Sequence, residues 1–229
     1  MKNVILSFMF CVVVVLLTGC EIPMIIESIA ADKDLDTMQK HTSITEKFSN
    51  HPDTDDWRDQ RQKIAQALGD RVFDKEFSRV FDSLVLAIST MELQVSNMER
   101  QSGYISASGI MLTEKESKEI GREAVYAWCR QNGIDPSSLD VHFQSSTFKR
   151  SFTKNGTDDM IDLYNGSEAG NSLTFQLLKM GENQTKVKLR FSNVYYPGRV
   201  EIYYKLVWQA VDKQIFVDQN IEGTVEERK

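Results

Sequence analysis

Residues 173–191 read LTFQLLKMGENQTKVKLRF. On both sides of a turn at Gly181, apolar side chains alternate with polar ones; the apolar set is Leu173, Phe175, Leu177, Val187, Leu189 and Phe191. Because successive side chains of a β-strand point to opposite faces, this period of two puts the apolar set on one face. The stretch therefore predicts an antiparallel hairpin with one buried face and one face in water.

Helical spacing flanks the predicted hairpin on both sides. Upstream, from about Asp70, apolar residues recur at steps of three and four: Phe73, Phe77, Val80, Phe81, Leu84, Ile88 and Met91. Downstream, the same spacing joins Val200, Tyr203, Tyr204, Val207, Trp208, Val211 and Ile215, before Gly223 and a charged tail over residues 223–229. Each set lies along one side of an amphipathic helix.

Shorter signals lie between these elements. A strand is predicted near residues 93–95, followed by a turn at Gly103 and a returning strand over 104–111. A capping box from Thr113 to Glu116 begins a helix that runs to about residue 131.

Weaker alternation predicts further strands at 139–143 and 161–163. The predicted order is α-β-β-α-β-β-β-α over a single domain at residues 70–222. This order indicates an α+β fold, helix-grip-like, in which an antiparallel sheet carries helices on one face.

The amino-terminal residues are typical of an export signal. After Lys2 the chain has no charge as far as Leu17, and the run ends in Leu17-Thr18-Gly19-Cys20. A short apolar run after a basic start describes a signal peptide, since a membrane-spanning helix needs about 20 apolar residues. Residues 17–20 resemble the lipobox of bacterial lipoproteins. An ordinary signal peptide and an uncleaved anchor helix are the alternatives.

The lipobox resemblance implies that residues 1–19 are removed and that Cys20 carries a diacylglycerol and usually a further acyl chain. Two or more chains anchor a protein stably, whereas one binds a membrane marginally. Glu21 stands where lipoproteins retained in the inner membrane of Gram-negative bacteria tend to carry Asp, so the outer membrane is favoured. A Gram-positive source would place the anchor in the cytoplasmic membrane, and whether the domain faces the periplasm or the cell exterior is open.

Residues 20–55 are predicted to form a flexible tether, because their polar composition offers little surface to bury. An apolar cluster near its start either lies on the membrane, docks on a partner or is simply part of the tether; it comprises Ile22, Pro23, Met24, Ile25, Ile26 and Ile29. Residues 56–69 predict a short helix capped by Asp55 or Asp56. The sequence leaves open whether this helix belongs to the domain.

Charge and cysteine content exclude some classes of partner and crosslink. The chain has 27 basic and 33 acidic residues, a formal net charge of −6, so phosphate backbones are repelled and no nucleic-acid partner is expected. With Cys11 in the signal and Cys20 lipidated, Cys129 is the single thiol left and no intramolecular disulfide is possible. Its position beside Val125 and Trp128 predicts a small buried side chain.

No motif for catalysis, a metal or another cofactor is predicted. The histidines are dispersed at His41, His51 and His142, whereas a zinc site needs clustered ligands. Residues 32–43 begin like a calcium-binding EF-hand loop, but Thr37 stands in place of Gly and Ser43 in place of Glu. The remaining acidic group is interpreted as part of a solvated loop; it consists of Asp158, Asp159 and Asp162.

The segment from Val80 to Ala107 carries a second resemblance. A helix leads into a strand, then into the turn Glu99-Arg100-Gln101-Ser102-Gly103 and a returning strand that begins Tyr104-Ile105. In its order of elements the chain resembles the helix-grip domains of BamC, a lipoprotein of the outer-membrane β-barrel assembly machine. That lipoprotein has two such domains, whereas this chain has one with an added helix at 113–132. The resemblance implies a fold and provides no catalytic residues.

The leading hypothesis is a non-enzymatic lipoprotein that binds another envelope protein, as an interaction or assembly module. An aromatic group near Pro197 is interpreted first as the packing of a helix on the sheet and second as a candidate binding surface; it consists of Tyr195, Tyr196, Tyr203, Tyr204 and Trp208. One alternative is a module that binds a small apolar ligand in a cavity under the final helix, lined by Tyr204 and Trp208. Another is an envelope hydrolase in which Asp158, His142 and Ser or Thr residues converge.

Overall fold

The computed structural model describes residues 39–139, 142–144, 153–167 and 171–226. The predicted signal at 1–19, Cys20, Glu21 and the apolar cluster at 22–29 lie outside these residues. The predictions about them therefore stay predictions.

Helices and short strands alternate along the described chain. Residues 39–50 form α1, and the later helices are α2 (Asp55–Leu68), α3 (Phe77–Thr90), α4 (Glu114–Gln131), α5 (Gly156–Ser167) and α6 (Pro197–Glu226). The strands are β1 (Asp70–Phe73), β2 (Gln94–Glu99), β3 (Tyr104–Ser108), β4 (His142–Gln144), β5 (Thr153–Asn155), β6 (Ser172–Lys179) and β7 (Thr185–Ser192). No helix within the described residues is both long and apolar enough to cross a bilayer.

Five strands form one antiparallel sheet in the order β1-β7-β6-β3-β2. The predicted hairpin is confirmed as β6 and β7, in which Phe175 lies opposite Leu189. Strands β4 and β5 pair in a separate two-stranded ladder. The predicted α+β class, with helices packed on an antiparallel sheet, is confirmed.

The first hydrophobic core lies between the sheet and helices α3 and α6. Sheet residues Ile105, Phe175 and Leu189 are buried against Leu84 of α3 and Trp208 of α6. The Trp208 ring lies 6.1 Å from the Phe175 ring, centroid to centroid. Each fully buried side chain of this size contributes about 1.5–3 kcal/mol, so burial on this face stabilises the packing of α3 and α6 on the sheet.

A second core joins helices α1, α2, α4 and α5. Phe48, Trp57, Trp128 and Tyr164 are all buried there, and the Phe48 ring meets the Trp128 ring edge-on at a centroid distance of 5.0 Å. Helix α6 contacts α2, α3 and α4, so it links the two cores.

The prediction of a tether extending to residue 55 is wrong for residues 39–50, which form α1. Their polar side chains face water on one side, while Phe48 is buried and Ile44 is partly buried on the other. The end of α1 is also fixed, because the Trp128 indole Nε1 donates to the carbonyl of His51 at 3.0 Å.

Helix α2 belongs to the domain, which the sequence had left open. Trp57 is buried in the second core, and the carbonyl of Leu68 accepts a hydrogen bond from Trp208 Nε1 at 2.6 Å. The helix is capped by Thr54, whose Oγ1 accepts from the Trp57 amide at 3.2 Å. The predicted caps Asp55 and Asp56 lie instead in the first helical turn, where the positive end of the helix dipole stabilises their negative charges.

Three predicted elements are also corrected. Phe73 is in β1 and not in a helix, because pairing with Thr185 of β7 overrides its helical spacing. Residues 161–163 form part of α5, where Met160, Ile161 and Tyr164 share a buried helical face. Residues 223–226, predicted as tail, complete α6.

Candidate functional site

The sheet ends in two edge strands, of which β1 is shielded by charge. The Asp70 carboxylate pairs with Lys186 Nζ at 3.0 Å and with Arg190 at 2.9 Å. Partial burial raises the pKa of Asp70, but the hydrogen bonds and charges of Lys186 and Arg190 together outweigh it and hold this pKa below its ordinary value. Arg71 stacks over the Trp208 ring and pairs with Asp212. A short, charged edge of this kind resists pairing with another chain.

The opposite edge, β2, is open. All six of its residues are exposed, and among them only Glu99 has a formal charge. No other described strand pairs with the outer side of β2. Its row of backbone N–H and C=O groups is therefore available to a further strand. The sequence had predicted a half-buried strand at 93–95; Leu93 is buried, but Val95 is exposed.

A β-bulge gives β2 an apolar face. The pairing with β3 shifts register between Val95 and Asn97, so that Val95 lies opposite Ala107 and Met98 lies opposite Ile105. Without the extra residue, side chains three apart would point to opposite faces. Ala107 and Ile105 are buried beneath the helices, whereas Val95 and Met98 are 43% and 51% exposed. The buried face of the sheet thus continues onto β2, where the helices leave it uncovered.

The β2 edge is held in place by the elements behind it. Just beyond the strand, Arg100 pairs with Asp82 of α3, and its guanidinium lies 4.7 Å from the centre of the Phe81 ring. The following turn needs Gly103, which has φ of +69° and accepts a hydrogen bond from Leu177 N at 2.8 Å. The edge is therefore preformed for binding, which lowers the entropy cost of ordering it on a partner.

The aromatic binding surface predicted around Pro197 is wrong for Tyr203, Tyr204 and Trp208, which are buried in the first core. Tyr204 Oη donates to Leu189 O at 3.2 Å, and Trp208 Nε1 donates to Leu68 O. These polar groups are satisfied by the protein itself, so the ligand hypothesis gains no support from them. Tyr195 and Tyr196 are half-buried, and the Tyr196 ring packs on Trp57 at 5.4 Å.

A buried arginine joins the two cores, and sequence reasoning missed it. Arg199 is 2% exposed. Its Nη2 donates to Ser117 O of α4 at 3.1 Å and to Asn165 Oδ1 of α5 at 2.8 Å, and its guanidinium lies 4.9 Å from the centre of the Tyr164 ring. The one available signal was its position in the first turn of a helix, where the macrodipole disfavours a cation and another role must compensate.

The predicted burial of Cys129 is confirmed. Burial raises the pKa of its thiol to about 11. The thiolate is the reactive form, so Cys129 has the inert character of a core residue.

We expect native Cys129 to resist iodoacetamide at pH 8, because a pKa of about 11 leaves roughly one thiol in a thousand ionised. The same thiol should react within minutes once urea unfolds the chain. Mass spectrometry of the peptide that contains Cys129 measures both rates. Equal rates with and without urea would contradict the burial.

The remaining candidates do not assemble into a chemical centre. Within the described residues, no group of three or more His, Cys, Asp and Glu side chains is placed to hold a metal ion. Asp158 and Asp162 are exposed on α5, while the side chains of His142 and Asp159 lie outside the described part. An open groove of about 1050 Å³ lies between α1 and α5, lined by Phe48, His41, Leu163 and polar neighbours.

No protein-family model matches this chain, and a comparison with curated protein sequences gives no match. The resemblances to the lipobox and to the helix-grip domains therefore rest on the residues of this chain alone. The β2 edge is the feature of the described residues from which a function can be argued.

Proposed function

We propose that this protein is a lipid-anchored, non-enzymatic module of the bacterial cell envelope that binds another protein through the β2 edge. The observation that carries the proposal is the six-residue exposed edge, with Val95 and Met98 uncovered on the apolar face of the sheet. A partner strand would gain backbone hydrogen bonds along the edge and cover these two side chains.

The contrast between the two edges supports this assignment. Strand β1 has four residues, and ion pairs protect it. Strand β2 has six residues, and within the described part of the chain none of its side chains forms an ion pair. Edges are usually protected because they otherwise pair with other chains. An edge left open beside apolar surface is typical of a binding site. Ile110, two residues beyond the end of β3, is a further exposed apolar side chain, at 88%.

The expected lipid on Cys20 fits the same role. It would hold the domain at a membrane, with the outer membrane favoured by Glu21, and present the β2 edge to envelope proteins. The acidic net charge of −6 disfavours nucleic acid as the occupant of the edge.

The double variant Val95→Lys/Met98→Lys tests the proposal. We expect its capture of a protein partner, which includes a differently tagged second copy of this chain, to fall at least about tenfold after in-cell crosslinking and mild-detergent purification from its own membranes. Burying even one unpaired ammonium group at the interface costs more than about 1.4 kcal/mol, and this amount corresponds to a tenfold loss of affinity. Quantitative mass spectrometry of the purified material gives the ratio.

Val72→Lys is the matched control, because Val72 is 55% exposed on the opposite edge strand. It adds one such charge to a similarly exposed valine and should leave capture unchanged. Equal capture by the wild type and the double variant would exclude the β2 edge as the binding site.

A further inference from the structure

The sequence of strand β2 is complementary to itself. When two copies of Gln94–Glu99 run antiparallel about a two-fold axis between Ser96 and Asn97, each Val95 faces a Met98 and each Gln94 faces a Glu99. We propose that the partner bound at the β2 edge is a second copy of this chain in this register. The inference rests on the proposed function and names its partner.

Apolar contacts favour this register. The bulge places Val95 and Met98 on the same face of β2, so the two-fold arrangement forms two Val95–Met98 pairs side by side. Directly opposite residues in antiparallel strands have Cβ atoms about 4.5–5.5 Å apart, close enough for these side chains to cover one another. The sheet of one copy would continue into that of the other, and two exposed apolar strips would be buried together.

Charge also favours this register over its neighbours. Glu99 faces the neutral Gln94 of the second copy, whereas sliding one strand until the two Glu99 residues meet would oppose like charges. Within its own chain, the Glu99 carboxylate accepts a hydrogen bond from Ser102 Oγ at 2.7 Å. This contact holds the charge toward the turn and away from the centre of the strand.

The expected lipid anchor explains how a small contact would suffice. One added strand pair buries less than the roughly 1,200 Å² of most stable interfaces, so copies free in solution should associate weakly. Copies anchored in one membrane meet at a much higher effective concentration. The pairing is therefore expected at the membrane, where the proposed function also places the protein.

Disulfide trapping tests the register in the full-length protein. One copy carries Val95→Cys and a differently tagged copy carries Met98→Cys, both expressed together and oxidised mildly in intact membranes. Facing strand residues have the Cα separation that a disulfide requires. We expect a non-reducing gel to show a shift of both tags to the mass of a dimer. Cys129 is buried and does not compete.

Three control variants determine the interpretation. Val95→Cys expressed alone, and Met98→Cys expressed alone, should form at least about tenfold less dimer, because the two-fold axis separates identical residues. Val72→Cys, on the shielded edge β1, should form none with either. Circular dichroism of each purified variant verifies that these exposed substitutions leave the fold intact.

Equal trapping of Val95→Cys with itself would contradict the register and overturn the inference. So would the absence of any disulfide in oxidised membranes. In either case, a different envelope protein that is captured by the wild type and lost in Val95→Lys/Met98→Lys would leave the proposed function standing. If neither the expected disulfide nor such a captured protein is found, the proposed function is excluded as well.

Discussion

Replacing Cys20 by Ser is expected to abolish lipid attachment and to leave the signal residues on the chain. In the lipobox interpretation, Cys20 provides the sulfur that carries the diacylglycerol, and cleavage follows that modification. Serine has no thiol, so neither step takes place. Metabolic labelling with an alkyne fatty acid, followed by a gel, should show complete loss of label and a heavier protein.

Cys11→Ser is the control for this experiment. It removes a thiol from the same amino-terminal segment, nine residues before Cys20, and should leave both the label and the processed mass unchanged. Label that persists in Cys20→Ser would refute the lipobox interpretation. An unlabelled wild type of reduced mass would instead indicate an ordinary signal peptide.

Phe48→Ala is expected to lower the free energy of unfolding by about 3–5 kcal/mol, the range for removing a buried aromatic side chain. Phe48 is buried against the edge of Trp128 and lies 6.2 Å from the Tyr164 ring, centroid to centroid. The loss combines burial with the cavity left behind. Urea unfolding of the full chain in detergent, followed by tryptophan fluorescence, measures the change.

Ser49→Ala is the neighbouring control, because Ser49 is exposed on the same helix. It should change the free energy of unfolding by less than about 0.5 kcal/mol. A change below 1 kcal/mol in Phe48→Ala would show that α1 contributes little to the domain and would restore the prediction of a tether up to residue 55.

Strong periodicity made the main elements predictable. The β6–β7 hairpin, the body of α6 and the Thr113 capping box follow from local spacing, and the box is present with both of its hydrogen bonds, at 2.9 and 3.3 Å. Strand β1 was not predictable, because its four residues are defined by pairing with β7. Helix α1 was missed because its segment has two large apolar side chains, Ile44 and Phe48, among polar residues, too few to show a helical period.

The candidate site depends on the β-bulge in β2, which the sequence does not indicate. Val95 and Met98 are three residues apart, so a regular strand would place them on opposite faces. The bulge places them together, and nothing in the residues from Gln94 to Glu99 marks its position. Conversely, the candidate binding surface included three aromatic residues of α6 whose helical spacing already indicated the core in which they lie: Tyr203, Tyr204 and Trp208.

The buried guanidinium of Arg199 makes the two cores thermodynamically dependent on each other. Its helix contributes Tyr203, Tyr204 and Trp208 to the first core, while its Nη2 donates hydrogen bonds to α4 and α5 of the second. Separating the cores would break both of these hydrogen bonds and, at the same time, the contacts of α6 with α2 and α4. The domain should therefore melt in one cooperative transition and not in two stages. Trp208 in one core and Trp128 in the other would then report the same midpoint.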